Sequence, residues 1–215
     1  RKSLRGHLSE HEISSEVLLT IEYALALPRP TQASEHKCPE WIGGLCAVMD
    51  GSFLAGGYDG VFRLATPGER SQSDLPFTTE MQAHDGAVKA LRSTVGGRRV
   101  VSGGMDRTVK VWDCNGKSLV PVAVADGANG TTTHENSVEA LAVDDSDRIL
   151  SGDWDGRLCF WKVEAQTARP VEAKRRRVTG DAAAAEGRLA LQTAWKAHNQ
   201  CMSGVEWMGE DHACT

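Results

Sequence analysis

This sequence predicts an all-β chain made of repeated units, each of several short strands, and three features carry that expectation. The stretch Ser102 to Asp113 (SGGMDRTVKVWD) sets turn chemistry at Gly103, Gly104 and Asp106 ahead of a strand, Thr108 to Trp112, that alternates polar and apolar residues and holds β-branched Thr108, Val109 and Val111. Gly supplies backbone angles that other residues avoid, and Asp bonds its own backbone two residues on. The stretch recurs without gaps at Leu150 to Trp161 and, more weakly, at Leu54 to Ala65. Asp59, Asp106 and Asp155 fall in register, and Trp112 and Trp161 each lie six residues past their Asp. Upstream of the two strong copies a His is followed four residues later by Val (His84 and Val88, His134 and Val138), and His198 with Met202 begins a further copy.

Along the chain, Ser3 to His11 suits a short helical turn with Leu4 and Leu8 on one face. Ile13 to Glu16 reads as a turn, and Val17 to Ala26 has the β-branched and aromatic content of a strand. Pro28, Pro30 and the polar run Thr31 to Lys37 end it and mark a linker over residues 28–40. Residues 1–27 are too few to carry a core of their own. The repeated units then occupy about 41–81, 84–124, 134–195 and an incomplete 198–215. Their spacing, about 47 to 64 residues, exceeds the roughly 40–45 of a four-stranded propeller blade, and the excess is assigned to loops. The longest insert covers 163–188, with the basic run Lys174, Arg175, Arg176, Arg177 and the alanine tract Ala182 to Ala185; after it, Leu189 to Trp195 alternates as an outer strand would.

The net charge of −5 gives no global reason to bind nucleic acid, so any basic patch is local. Apolar runs are too short for a membrane span, and the residues from Arg1 onward show no charged-then-apolar pattern, so no signal peptide is visible in them. Cys38, Cys46, Cys114, Cys159, Cys201 and Cys214 lack paired spacing, so they read as reduced thiols of an intracellular protein rather than a zinc site. No phosphate loop, metal-ligand pair or single nucleophile stands out, which argues against an enzyme and against a bound cofactor.

The repeated unit resembles a WD40 repeat. In that family a His, a Ser or Thr, an Asp and a Trp form a hydrogen-bonded chain that pins the strands of one blade. The resemblance maps it to His84, Ser102, Asp106 and Trp112, and again to His134, Ser151, Asp155 and Trp161. A hydrolase triad of His84, Asp106 and Ser102 is the rival reading; recurrence of the set with a Trp attached argues against it. The first copy departs, with Cys38, Ala55 and Ala65 at the His, Ser and Trp places. Its blade is expected to hold by packing alone, around Trp41, Tyr58 and Phe62. A blade cannot bury both faces alone, so the resemblance implies about three and a half blades of a seven-bladed ring.

The N-terminal piece is similar to the end of the ubiquitin-like NLE domain, through Ser3-Leu4, His7-Leu8, Ile13-Ser14-Ser15-Glu16, Ile21-Glu22-Tyr23 and Pro28. Together with Ser151-Gly152-Asp153-Trp154-Asp155 and the basic run, this resembles the family of WD-repeat subunits of the PeBoW complex, which acts in large ribosomal subunit assembly. The resemblance implies a non-catalytic scaffold in nucleus, nucleolus and nucleoplasm. Its implied partners are a BOP-type WD40 subunit, Pescadillo, the pre-60S particle with its rRNA, and the ATPase midasin. It also implies a role for Glu16, as the carboxylate offered in trans to the magnesium of midasin's adhesion site; the plain alternative is a solvated turn residue. Lys174 to Arg177 reads as a nuclear import signal or an rRNA contact, or as a solvated loop run. Two other functions stay open: a generic WD40 adaptor such as a substrate receptor of a ubiquitin ligase, and the related notchless-type assembly factor.

Overall fold

The computed structural model describes residues 38–66, 77–125, 134–144, 146–165, 187–208 and 212–215, all within the compact unit Ser34–Thr215. Residues 1–27, with Glu16, and the basic run Lys174 to Arg177 lie outside the described residues.

Three antiparallel four-stranded blades follow one another. The first holds β1 (Ile42–Ala47), β2 (Phe53–Gly57), β3 (Val61–Ala65) and β4 (Phe77–Gln82), paired in that order. The second holds β5 (Val88–Ser93), β6 (Arg99–Gly104), β7 (Val109–Cys114) and β8 (Leu119–Ala125). The third holds β9 (Val138–Val143), β10 (Arg148–Asp153), β11 (Arg157–Ala165) and β12 (Gly187–Lys196). A two-stranded sheet, β13 (Glu206–Met208) with β14 (His212–Cys214), comes last. The inner strands lie side by side, β5 against β1 and β9. At the outer edge β8 and β12 meet in a short parallel pairing, Gly187 opposite Ala123 and Arg188 opposite Val124, which fuses blades two and three into one sheet.

Stacking explains the strand sequences. Each middle strand is covered on both faces by neighbouring blades, so β6 (RVVSGG) and β10 (RILSGD) are buried from their second residue onward and read as apolar and small residues without alternation. Leu54, Phe62 and Leu64 of blade one pack with Val88, Leu91, Val100 and Trp112 of blade two. Val101, Val109 and Val111 pack with Val138, Leu141, Ile149 and Trp161 of blade three, and Leu150 and Leu158 with Met202 and Val205. Each such side chain contributes about 1.5–3 kcal/mol by leaving water.

The two marks that recur in the sequence meet at these interfaces. The glycine of one blade seats the apolar residue that follows the next blade's His place. A Cβ on Gly56 would stand 2.5 Å from Val88 Cγ1, one on Gly103 2.5 Å from Val138 Cγ1, and one on Gly152 2.9 Å from Met202 Cβ. Glycine is required there because nothing larger lets the inner strand approach.

Blade one differs from its expected core. Phe62 is fully buried, but Trp41 is 78% exposed and Tyr58 41% exposed. The two rings stack edge to face at 6.0 Å on the surface, because Trp41 precedes β1 and Tyr58 lies in the turn after β2. Nor does packing act alone in this blade. Arg63, 4% exposed, sits in the middle of β3 and donates to both oxygens of Asp59 (3.1 and 2.6 Å) and to Glu80 (3.1 Å). Desolvation is costly for a buried guanidinium, and two carboxylates with three hydrogen bonds offset that cost here.

Candidate functional site

In blade two, the turn between β6 and β7 brings Asp106 back toward the segment that leads into β5. His84 Nδ1 lies 2.9 Å from Asp106 Oδ1 and its Nε2 lies 2.7 Å from Ser102 Oγ, while Trp112 Nε1 donates to Ser102 Oγ at 2.9 Å. One proton arrangement satisfies every member: Nδ1–H donates to the carboxylate, Ser102 donates to Nε2, and Trp112 donates to Ser102. His84 is then neutral, in line with its pKa, which burial pushes below the usual value against the pull of Asp106. Burial alone would raise the Asp106 carboxyl; hydrogen bonds from His84 and from the Thr108 hydroxyl and amide outweigh it and hold it well below the usual carboxylate range. Thr108 is a fifth member of the set, and its sequence signal is the Asx turn, in which residue i+2 returns to the Asp.

Blade three uses a different aspartate from the one expected. His134 Nδ1 lies 3.0 Å from Asp153 Oδ2, its Nε2 lies 2.6 Å from Ser151 Oγ, and Trp161 Nε1 donates to that oxygen at 2.6 Å. Asp155 is exposed, and among the described residues its carboxylate receives Asn136 Nδ2, at 3.3 Å from each oxygen. The cause is one residue: Asp153 stands where blade two has Gly104. A Cβ on Gly104 would collide with His84 Nδ1 and approach Asp106 Oδ1 to 2.7 Å. A carboxylate from that position therefore reaches the His first and leaves the turn Asp outside. Asp153 is fully buried and takes further amide bonds from Asp155 (3.0 Å) and Arg157 (2.9 Å).

Chemically these sets pin strands. Ser102 and Ser151 are fully buried, His84 and His134 nearly so, and each serine oxygen is held between an imidazole and an indole. That geometry offers no substrate a path to the hydroxyl. The six cysteines are free thiols, and burial pushes Cys46 up to about 12 and Cys159 to about 11, far from a reactive thiolate. Among the described residues no group of three His, Cys, Asp or Glu could hold a metal ion, and no helix is long and apolar enough to cross a membrane.

The surface holds a second feature that the spacing of motifs did not announce. Lys89 and Glu139 occupy the second positions of β5 and β9, and Lys89 Nζ lies 3.3 Å from Tyr58 Oη, 4.9 Å from the Tyr58 ring centre and 3.6 Å from Glu139 Oε2. This row crosses all three blades.

Fold and repeat chemistry together define a WD40-repeat β-propeller. The WD40 family model (WD domain, G-beta repeat) matches residues 76–113 and 129–162. Solved structures share the arrangement: the RRP9 WD40 repeats at TM-score 0.57 and 11% identity, over 83% of this chain and 45% of that one, and the computationally designed Ika4 protein at TM-score 0.55 and 17% identity, over 83% of this chain and 88% of that one. More particularly, the chain is homologous to proteins named ribosome biogenesis protein WDR12 homolog or YTM1. The Chlamydomonas reinhardtii WDR12 homolog is 32% identical over 98% of this chain and 50% of its own length. The rice WDR12 homolog is 28% identical over 96% and 48%, and Saccharomyces cerevisiae YTM1 is 28% identical over 80% and 40%. The chain spans about half the length, or less, of these curated relatives.

Proposed function

We propose that the protein is a non-catalytic assembly factor of the large ribosomal subunit, a scaffold of the PeBoW type. The observation that carries this reading is homology over 98% of the chain to a protein named for ribosome biogenesis. The buried state of every His–Ser pair supports the non-catalytic part, since these groups hold strands instead of facing a substrate. On this reading the propeller docks a BOP-type WD40 subunit and, through it, Pescadillo on the pre-60S particle, in nucleolus and nucleoplasm. Glu16 gives a carboxylate oxygen to the magnesium of midasin's adhesion domain, which can exchange a water for it. Lys174 to Arg177 serves nuclear import or meets rRNA phosphate.

The test uses the full-length protein with Glu16→Ala. Magnesium-dependent capture of midasin's adhesion domain is expected to fall at least tenfold, and cells carrying the variant are expected to accumulate large-subunit precursors that still hold the protein. Undiminished capture overturns the role of Glu16. A normal ratio of large to small subunits after depletion of the whole protein overturns the assembly role.

A further inference from the structure

We propose that Asn115 and Gly116, in the turn between β7 and β8, form a self-modifying site. The Gly116 nitrogen attacks the Asn115 carboxamide, and hydrolysis of the resulting imide leaves aspartate or isoaspartate at position 115. The proposal is independent of the ribosomal reading and rests on how the turn holds the two groups that react.

The electrophile is the Asn115 side-chain carbonyl. Its Oδ1 accepts from the Lys117 amide (3.0 Å), the Ser118 amide (2.8 Å) and the Ser118 hydroxyl (3.1 Å). The backbone bond from Asn115 N to Ser118 O (3.2 Å) already closes the turn, so closure alone does not call for three donors on one oxygen. Donors fixed around an oxygen on which charge develops lower the barrier to attack at its carbon. Nδ2, the group that leaves, has no hydrogen bond among the described residues.

The nucleophile is the Gly116 nitrogen. No side chain crowds it, and its φ of +83° is one that a residue with a β-carbon resists. Its N–H donates to Cys114 Sγ at 3.5 Å, a weak acceptor that does little to hold the proton. A carboxylate from blade one stands beside it: a Cβ on Gly116 would lie 2.8 Å from Asp50 Oδ2. Asp50 occupies the turn between β1 and β2 and is exposed, so the base comes from the neighbouring blade.

The step needs water as its sole co-reactant. Asp50 takes the Gly116 proton as the bond from Gly116 N to Asn115 Cγ forms. The bond from Cγ to Nδ2 then breaks, and Nδ2 takes the proton back from Asp50 and leaves as ammonia. Asn115 is exposed, so water reaches the imide. Cleavage at Cγ gives aspartate, whose carboxylate keeps all three donors as charge-assisted bonds. Cleavage at the main-chain carbonyl gives isoaspartate, which adds one carbon to the backbone and lengthens the turn.

The experiment incubates the full-length protein at neutral pH and follows position 115 by tandem mass spectrometry. Isoaspartate is counted with an isoaspartyl methyltransferase and labelled S-adenosylmethionine. Asn129-Gly130, the other Asn-Gly in the sequence, is the reference within the same chain. Asn115→Gln should leave position 115 unconverted, because the longer side chain closes a less favourable ring. Ser118→Ala should slow conversion about fivefold, the weight of one neutral hydrogen bond. Asp50→Asn keeps a residue that tolerates the left-handed backbone and should slow conversion at least tenfold, as loss of a base does. The rate at Asn129 should not change in either variant, and their unfolding midpoints check that both fold. Three results would each overturn the proposal: Asn115 intact while Asn129 converts, conversion unchanged or faster in Ser118→Ala, or conversion unchanged in Asp50→Asn.

Discussion

At the scale of the residue, each pin turns on which carboxylate reaches the His. Asp153 is buried against His134 and Asp155 is not, so the two aspartates of one Asp-Trp-Asp run carry unequal weight. Asp153→Ala is expected to cost about 3–5 kcal/mol, the cost of breaking a buried pair. Asp155→Ala should stay within about 0.5 kcal/mol, as surface changes do. Urea unfolding of the two variants measures both, and equal midpoints would return the pin to Asp155. Acid should weaken the pins in a defined order. His84 has a lowered pKa in the folded chain, so the unfolded chain binds the proton first, and stability starts to fall as pH drops through the ordinary histidine range, near about 6.5. Asp106 and Asp153 are also lowered, so their contribution is whole above about pH 4 and is lost below it. A unfolding midpoint recorded from pH 8 to pH 3 tests this; a flat profile down to pH 5 in wild type would contradict the His84 assignment.

At the scale of the element, the socket between blades is the unit that repeats. Gly103→Ala forces its Cβ onto Val138, and overpacking of that kind costs about 1–3 kcal/mol. Val138→Ala alone opens a cavity. The double variant should be more stable than the sum of the two losses, because each change relieves the other; additive losses in the same urea titration would dissolve the socket. The legibility of the elements follows the same physics. Strands bounded by recurring Gly, Asp and Trp are readable because turn chemistry and burial repeat at one spacing, and the resemblance to the WD40 repeat assigns His84, Ser102, Asp106 and Trp112 to one pin on that register. The pin of blade three was misread at its Asp because SGDWD offers two carboxylates two residues apart, and only the contact of residue 153 with His134 separates them. Blade one hid its Arg63 bridge for a related reason: no spacing rule says that a guanidinium in mid-strand will find Asp59 and Glu80 on adjoining positions. The parallel meeting of β8 and β12 lies between blades, where alternation within a strand carries no information.

At the scale of the whole molecule, the fold and the proposed function rest on different observations. Blades stack because each middle strand is apolar on both faces, and that reading needs only residues 41–215. A stacked propeller is a platform, and fold alone does not choose its partners. The assembly role draws on the homologues and on Arg1 to Leu27, which lie outside the described residues. Exposed and buried tryptophans carry the same letter in the sequence: among the described residues Trp112 and Trp161 are buried in cores, Trp207 packs against a third, and Trp41, Trp154 and Trp195 are exposed. The measurement that tests the central claim most directly is sedimentation of the tagged full-length protein from its native cells on a sucrose gradient, with rRNA read in each fraction. The protein should co-sediment with precursors of the large subunit and leave them when magnesium is chelated and the particles unfold. A protein confined to the light fractions, or one travelling with small-subunit precursors, would contradict it.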